Sequence, residues 1–270
     1  MKMVADLSVT SAPMRARHGW HPGWMFRGGA QGAWYDPADL ATLFQDSAGT
    51  VPVAAAGDPV GLMRDKSGNG NHAIQVTAAA RPVYRNVGAR HWLEFNGVNQ
   101  FLVTPTITPG TDKAQVLIGL QKLANSGSGI VIEHSVDLNT HPGTFYLLAP
   151  VTSGAVRSYG ATSKGSAMAI AFMAGNSIPS PSTNVVSMHS DIGADNLTVR
   201  ADGSIVVQSV ANQGTGNFLA NPIYIGMRGG VSIPFNGNIY GLILRFGPNL
   251  TDEEITRAEQ YIATKTGVAL

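Results

Sequence analysis

Residues 64–75 read RDKSGNGNHAIQ, a run of side-chain oxygens set among glycines. Asp65, Ser67, Asn69 and Asn71 place oxygens at alternate positions, as in the first half of a calcium loop. Such a loop ends in a bidentate Glu at its twelfth position, and Val76 stands there instead. A site with one charge would hold calcium weakly. The competing reading is a structural turn, in which Gly68 and Gly70 take positive φ and the Asp and Asn side chains bond back to the chain. His72 then reads as a hydrogen-bonded turn residue, not a ligand. No other cofactor is expected.

Other chemistry finds little to work with. Cysteine is absent, which excludes disulfides and thiolate metal sites. There is no G-x-S-x-G nucleophile turn and no G-x-x-x-x-G-K-[ST] phosphate loop. The seven histidines show no H-x-H or H-x-x-x-H spacing, and His18-x-x-His21 lies in a Gly/Pro-rich segment where the pair is incidental. The formal net charge is +1, so no long-range field recruits nucleic acid or anionic membrane. The first residues lack a continuous apolar stretch of the secretory type, and no run of about eighteen apolar residues suggests a membrane span.

Residues 1–32 form a distinct segment without a period of 2 or 3.6, read as an extended N-terminal arm. It concentrates Arg15, Arg17, Trp20, Trp24, Phe26 and Arg27 among Gly and Pro. Three readings stay open: a flexible tail, an arm folded back over its own domain, and an arm that docks on a partner. Trp and Arg are the residues that most often anchor interfaces, which favours docking through these six.

The elements that would position any site are mostly strands. Apolar residues make up 44% of the chain and charged ones only 13%, with 32 Gly and 15 Pro, the composition of short strands joined by tight turns. Asp36-Pro37 opens a short helix over 36–44, with Leu40 and Phe44 four apart. HWLEFNGVNQFLVT (91–104) reads as a hairpin about Asn96-Gly97, and Asp202-Gly203 as a second. Segments 114–123 and 129–134 are buried strands, and later runs continue the series. Thr251 and Glu254 form a capping box. Ile255, Ala258, Tyr261 and Ile262 then line one face of a terminal helix that Gly267 stops. The expected fold is all-β: one antiparallel β-sandwich over 33–270, capped by that helix.

DKSGNGNHA (65–73), LEFNGVNQFL (93–102), PIYIGMRGG (222–230) and FNGNIYGLILRFGPNLTDEEI (235–255) stand in an order that resembles the concanavalin A-like, laminin-G-type jelly-roll family. The resemblance covers roughly residues 33–268. The opening segment GAWYDPADLATLFQDSAGTVPV is similar to a subgroup found in virion proteins of tailed phages and prophages. It implies a head-decoration, head-fibre or tail-associated subunit assembled in the bacterial cytoplasm. Its partners would be capsid or tail subunits, in many copies, with host surface glycan as a further partner. The alternative is a free carbohydrate-binding module or lectin.

Hydrolases of this superfamily carry Glu-x-Asp-x-(x)-Glu on one strand, whose alternate residues face the same way as a retaining pair requires. The five glutamates here are Glu94, Glu133, Glu253, Glu254 and Glu259, and only Glu133 with Asp137 approaches that pattern. That spacing reads as a strand end followed by a turn, so catalysis is not expected. For glycan binding, Trp92, Tyr146, Tyr159 and Tyr224 are the aromatic candidates, with Trp92 and Tyr224 expected in the core. Loops 176–184 and 211–217 read as solvated turns.

Overall fold

The computed structural model describes residues 20–270; Arg15, Arg17 and His18 lie outside the described residues. After a 3-10 segment (Pro22–Gly29), the first strands are β1 (Gln31–Tyr35), β2 (Leu43–Phe44), β3 (Leu62–Met63), β4 (Ala73–Ile74), β5 (Val83–Val87) and β6 (Arg90–Asn96). Next come β7 (Leu102–Val103), β8 (Lys113–Lys122), β9 (Ile130–His134), β10 (Thr144–Leu148), β11 (Gly160–Lys164) and β12 (Met168–Phe172). The chain ends with β13 (Ser182–Asp191), β14 (Asn196–Ala201), β15 (Ser204–Ser209), β16 (Ile223–Ile225), β17 (Asn236–Phe246) and helix α1 (Asp252–Thr266).

These strands make two antiparallel sheets. An eight-stranded sheet runs β15-β14-β13-β8-β17-β6-β5, with β1 also paired to β17. A nine-stranded sheet runs β12-β11-β10-β9-β16-β7-β4-β3-β2. Alternate residues of both sheets meet between them in one core that includes Leu93, Val116, Ile132, Phe145, Leu147, Phe218, Leu242 and Phe246. The fold is the expected β-sandwich.

Helix α1 lies on the outer face of the eight-stranded sheet, against β8, β13 and β17. Its start is the capping box: Glu254 N–H donates to the Thr251 hydroxyl, and Thr251 N–H to the Glu254 carboxylate. Ala258, Ile262 and Ala263 pack on Leu117, Val185 and Ile243. Burying a side chain such as Ile262 contributes about 1.5–3 kcal/mol. Gly119 permits the approach, since a Cβ there would sit 2.5 Å from Thr266 Cγ2.

Three local expectations change. Segments 91–96 and 102–103 are both strands, but β6 belongs to one sheet and β7 to the other. The Asn96-Gly97 turn therefore crosses between sheets, and the hairpin partner of β6 is β5. Asn96 Oδ1 accepts from the N–H groups of Val98 and Asn99, so the turn is closed by its own side chain. In 36–44 only one 3-10 turn forms (Leu40–Thr42), because Leu43–Phe44 pair with Leu62–Met63 instead. Asp36 still bonds the Ala38 N–H, and it also accepts from Tyr261 and Lys265 of α1.

The third change concerns the arm. Residues 20–32 are part of the sandwich: Met25 and Phe26 are buried against Trp34, Ile243 and Ile262, and Gln31–Tyr35 add a strand to β17. Arg245 Nε donates to the Met25 carbonyl at 2.7 Å and fastens this segment. The Asp202-Gly203 hairpin is as expected, both residues having positive φ in the tight turn between β14 and β15.

Candidate functional site

The Asp65 loop shows what its oxygens are for. Asp65 Oδ1 accepts from the N–H groups of Trp34 and Ser67, and Oδ2 from the Ser67 hydroxyl and the Asn71 N–H. Asn69 and Asn71 turn their amide nitrogens to carbonyls of Ala30 and Gly32. His72 Nδ1 accepts from the Asp65 N–H. The side chains of Asp65, Ser67, Asn69 and Asn71 clamp this loop to the start of β1. These bonds favour the structural-turn reading of Asp65, Ser67, Asn69 and Asn71 over the calcium one. Among the described residues no group of three or more His, Asp or Glu is arranged to hold a metal.

Of the arm residues, Phe26 is buried in the chain's own core and cannot serve as a free anchor in this conformation. Trp20 lies 5.8 Å from the Tyr261 ring, and the Arg27 guanidinium sits 5.0 Å from the Trp24 ring. Trp20, Trp24 and Arg27, with Leu250, Glu253 and Arg257, line a groove of about 460 Å³.

The richer surface is the outer face of the nine-stranded sheet. Its registers bring Ile170, Thr162, Tyr146, Glu133, Tyr224, Val103, Ile74, Leu62 and Phe44 into one row, one residue from each strand. Tyr146 stands between Phe145 and Leu147, and Tyr224 between Ile223 and Ile225, whose four side chains enter the core. Strand alternation therefore sends both tyrosines outward, where each is half-buried. This corrects the expected core placement of Tyr224. Tyr159 is fully buried; Trp92, on β6, is half-buried on the outer face of the other sheet against Tyr240, so its expected core placement is corrected too.

A register shift in the β9–β10 pairing places Ile132 opposite Leu147 and Ile130 opposite Leu148. Val131 and Ile132 both enter the core, while Ile130 joins an outer apolar cluster with Leu148, Val151, Tyr146 and Phe172. Glu133 follows on the same outer face. Its Oε2 accepts from Arg228 Nε at 2.9 Å, and its Oε1 from the Ser135 hydroxyl and the Leu138 N–H. Burial raises the Glu133 carboxyl above its ordinary pKa against the opposing pull of Arg228. Burial also works against the charge on Arg228, but Glu133, with Asp137 and Tyr146, together offset it, so the guanidinium is held more firmly charged.

Arg228 reaches this place on a strained loop. Gly229 and Gly230 have positive φ, and a Cβ on them would strike the Val136 carbonyl at 2.7 Å and the Phe101 ring at 2.5 Å. Ile233, a β-branched residue, also has φ of 52°, a backbone state such residues rarely take. The guanidinium lies 5.0 Å from the Tyr146 ring centre and 3.7 Å from Asp137 Oδ1. Glu133 and Asp137, the nearest approach to a carboxylate pair in the sequence, thus share one arginine. The Phe101 ring lies tilted against Tyr224, centroids 6.1 Å apart. Farther along the face, Leu62, Arg64, His72, Ile74 and Pro105 border a cavity of about 560 Å³. The sequence carried the tyrosines but not Arg228, which no spacing ties to Glu133.

No protein-family model matches the sequence, and no curated protein sequence matches it. Solved structures do resemble the fold. Domain 4 of AbnA, a GH43 extracellular arabinanase from Geobacillus stearothermophilus, in complex with arabinotriose, gives a TM-score of 0.58 at 15% identity over 86% of this chain and 99% of that one. An arabinofuranosidase complexed with arabinofuranosyl-alpha-1,2-xylobiose gives 0.61 at 14% identity, over 91% of this chain and 65% of that one. The botulinum neurotoxin serotype G binding domain gives 0.54 at 11%, over 75% and 49%. This chain spans less than two thirds of the latter two proteins. The shared property is the antiparallel β-sandwich, found here in domains of glycosidases and in a toxin's binding domain. No helix among the described residues is long and apolar enough to cross a membrane.

Proposed function

We propose that this chain is a glycan-binding β-sandwich displayed on a tailed-phage particle, using the outer face of its nine-stranded sheet. The observation that carries the binding half is the Tyr146–Glu133–Tyr224 row with Arg228 across it. Half-exposed aromatic rings offer apolar faces to the C–H face of a sugar. Beside them, Arg228 donates to hydroxyls and Asp137 accepts from them, the few placed polar groups that give a site its specificity. Glu133 acts here as the fixed partner that positions Arg228, so the reading is binding without catalysis. The arabinotriose and arabinofuranosyl-xylobiose complexes among the similar folds agree with sugar as the ligand class.

The virion half rests on the resemblance of residues 32–53 to phage and prophage virion proteins, with capsid or tail subunits as partners. A free lectin would use the same face. Two experiments test the halves separately. A glycan array probed with the full chain should give saturable binding that Tyr146→Ala abolishes; an array without signal sinks the binding half. Mass spectrometry of purified particles should find the chain in many copies; its absence there leaves the free lectin.

A further inference from the structure

Helix α1 covers the outer face of the eight-stranded sheet over β8, β13 and β17, and the edge strands β14 and β15 extend past it. A cavity of about 270 Å³ opens where the cover ends. Its floor is a row set by register, His189 beside Thr198 beside Gln208, with Arg200 and Asn196 two residues to either side of Thr198. Ile205, Leu250 and Ile255 supply aliphatic walls.

The hydrogen bonds beneath this floor fix what it presents. Glu259 on α1 is buried and accepts a hydrogen bond from the Ser187 hydroxyl at 2.7 Å. Ser187 Oγ can then only accept from His189 Nε2, 3.0 Å away. The proton of the neutral ring is thereby placed on Nε2, and Nδ1 becomes an acceptor with no partner among the described residues. Burial pulls the pKa of His189 down to about 4, so the ring is neutral at ordinary pH. Arg200 gives Nε and Nη2 to Glu259 and Gly203, which leaves Nη1 over. Asn196 Oδ1 accepts from both Thr198 and Gln208, which leaves Asn196 Nδ2 as a donor and Gln208 Oε1 as an acceptor.

Donors and acceptors thus alternate on one small polar floor. The Arg200 charge is already matched by Glu259, and the Asp191 charge by Lys113. Asp252 at the rim adds a negative charge, which disfavours anions. A vicinal diol fits this array, each hydroxyl accepting from one group and donating to the next, with its carbons against the aliphatic walls. We infer that this cavity is a second binding site, separate from the tyrosine face, for one neutral sugar ring or a cyclic polyol of that size.

The test uses the full-length chain labelled with ¹⁵N and follows the His189 ring nitrogens and the amides of Ser190, Thr198 and Gln208. Neutral pyranoses and pentoses are titrated, with glycerol and inorganic phosphate as comparisons. A saturable shift of His189 Nδ1 with at least one neutral sugar is expected. Thr198→Val and Gln208→Leu should each weaken it about tenfold, the cost of one unmade hydrogen bond at a buried polar partner. Tyr146→Ala should leave it unchanged, so failure of the tyrosine face and failure of this site are read independently. The inference is overturned if no neutral sugar moves His189, if phosphate or glycerol does so more strongly, or if both variants bind as wild type.

Discussion

Arg228 Nε lies 2.9 Å from Glu133 Oε2, joining a loop to a strand 95 residues away in sequence. Glu133 is fully buried, whereas the Arg228 side chain keeps 12% of its surface in contact with solvent. The pair places a cation at the edge of two half-exposed tyrosines. Removing one partner of a buried pair leaves the other uncompensated. Arg228→Gln should therefore destabilise the fold by about 3 kcal/mol in urea unfolding. Adding Glu133→Gln to it should recover part of that loss.

The Asp65 clamp makes a second prediction. Asp65→Ala strips partners from the N–H groups of Trp34, Ser67 and Asn71, and should cost about 2–4 kcal/mol. Calcium or EDTA should leave the wild-type melting temperature where it is. A rise of several degrees with calcium would restore the metal reading of this loop.

His134 gives a pH dependence with a definite sign. It is enclosed by Phe145, Phe218 and Phe246, and burial lowers its pKa to about 3. The unfolded chain takes up this proton near pH 6.5, the folded chain only near 3. Its contribution is thus fully present above about pH 6.5 and is lost progressively as pH falls toward 3. His134→Leu should flatten that acid limb in urea midpoints measured from pH 7 to 4, and an unchanged slope would rule the cause out.

Lys122 acts at the other end of the scale. It is buried, donates to the Ile178 carbonyl at 2.7 Å, and burial lowers its pKa to about 8. The unfolded chain holds this proton up to about pH 10.5, so stability from this group rises between roughly pH 8 and 10.5. Lys122→Met should remove that rise.

The N-terminal segment separates docking from folding. Deleting residues 1–30 removes Met25 and Phe26 from the core and leaves Arg245 Nε without its acceptor. Circular dichroism should show a lowered melting temperature for that deletion. Deleting 1–19 leaves those contacts in place, which makes it the proper variant for asking whether Arg15 and Arg17 attach the chain to a particle.

Local pattern carried much of the fold and little of the site. The terminal helix was legible because its cap, stripe and stop all lie within seventeen consecutive residues, 251–267. The Asp202-Gly203 hairpin was legible for the same reason. Asn96-Gly97 misled because its turn chemistry is identical whether the chain folds back or changes sheet; only the distant partners, β17 for β6 and β16 for β7, decide. Residues 36–44 carry a helix start signal, yet pairing of Leu43–Phe44 with a strand some twenty residues on overrides it. The alternation Phe145-Tyr146-Leu147 and Ile223-Tyr224-Ile225 holds the signal for two outward tyrosines, although Tyr224 was expected in the core. That they flank Glu133 depends on sheet register, which no local spacing encodes.

Whether sugar binds across the tyrosine row is decided by calorimetric titration of the best array ligand into wild type, Tyr146→Ala and Tyr224→Ala. Wild type should bind saturably, and each variant should lose about tenfold or more in affinity, as expected for removal of a stacking ring. Binding of equal strength in all three would contradict binding across this row and move the site elsewhere on the molecule.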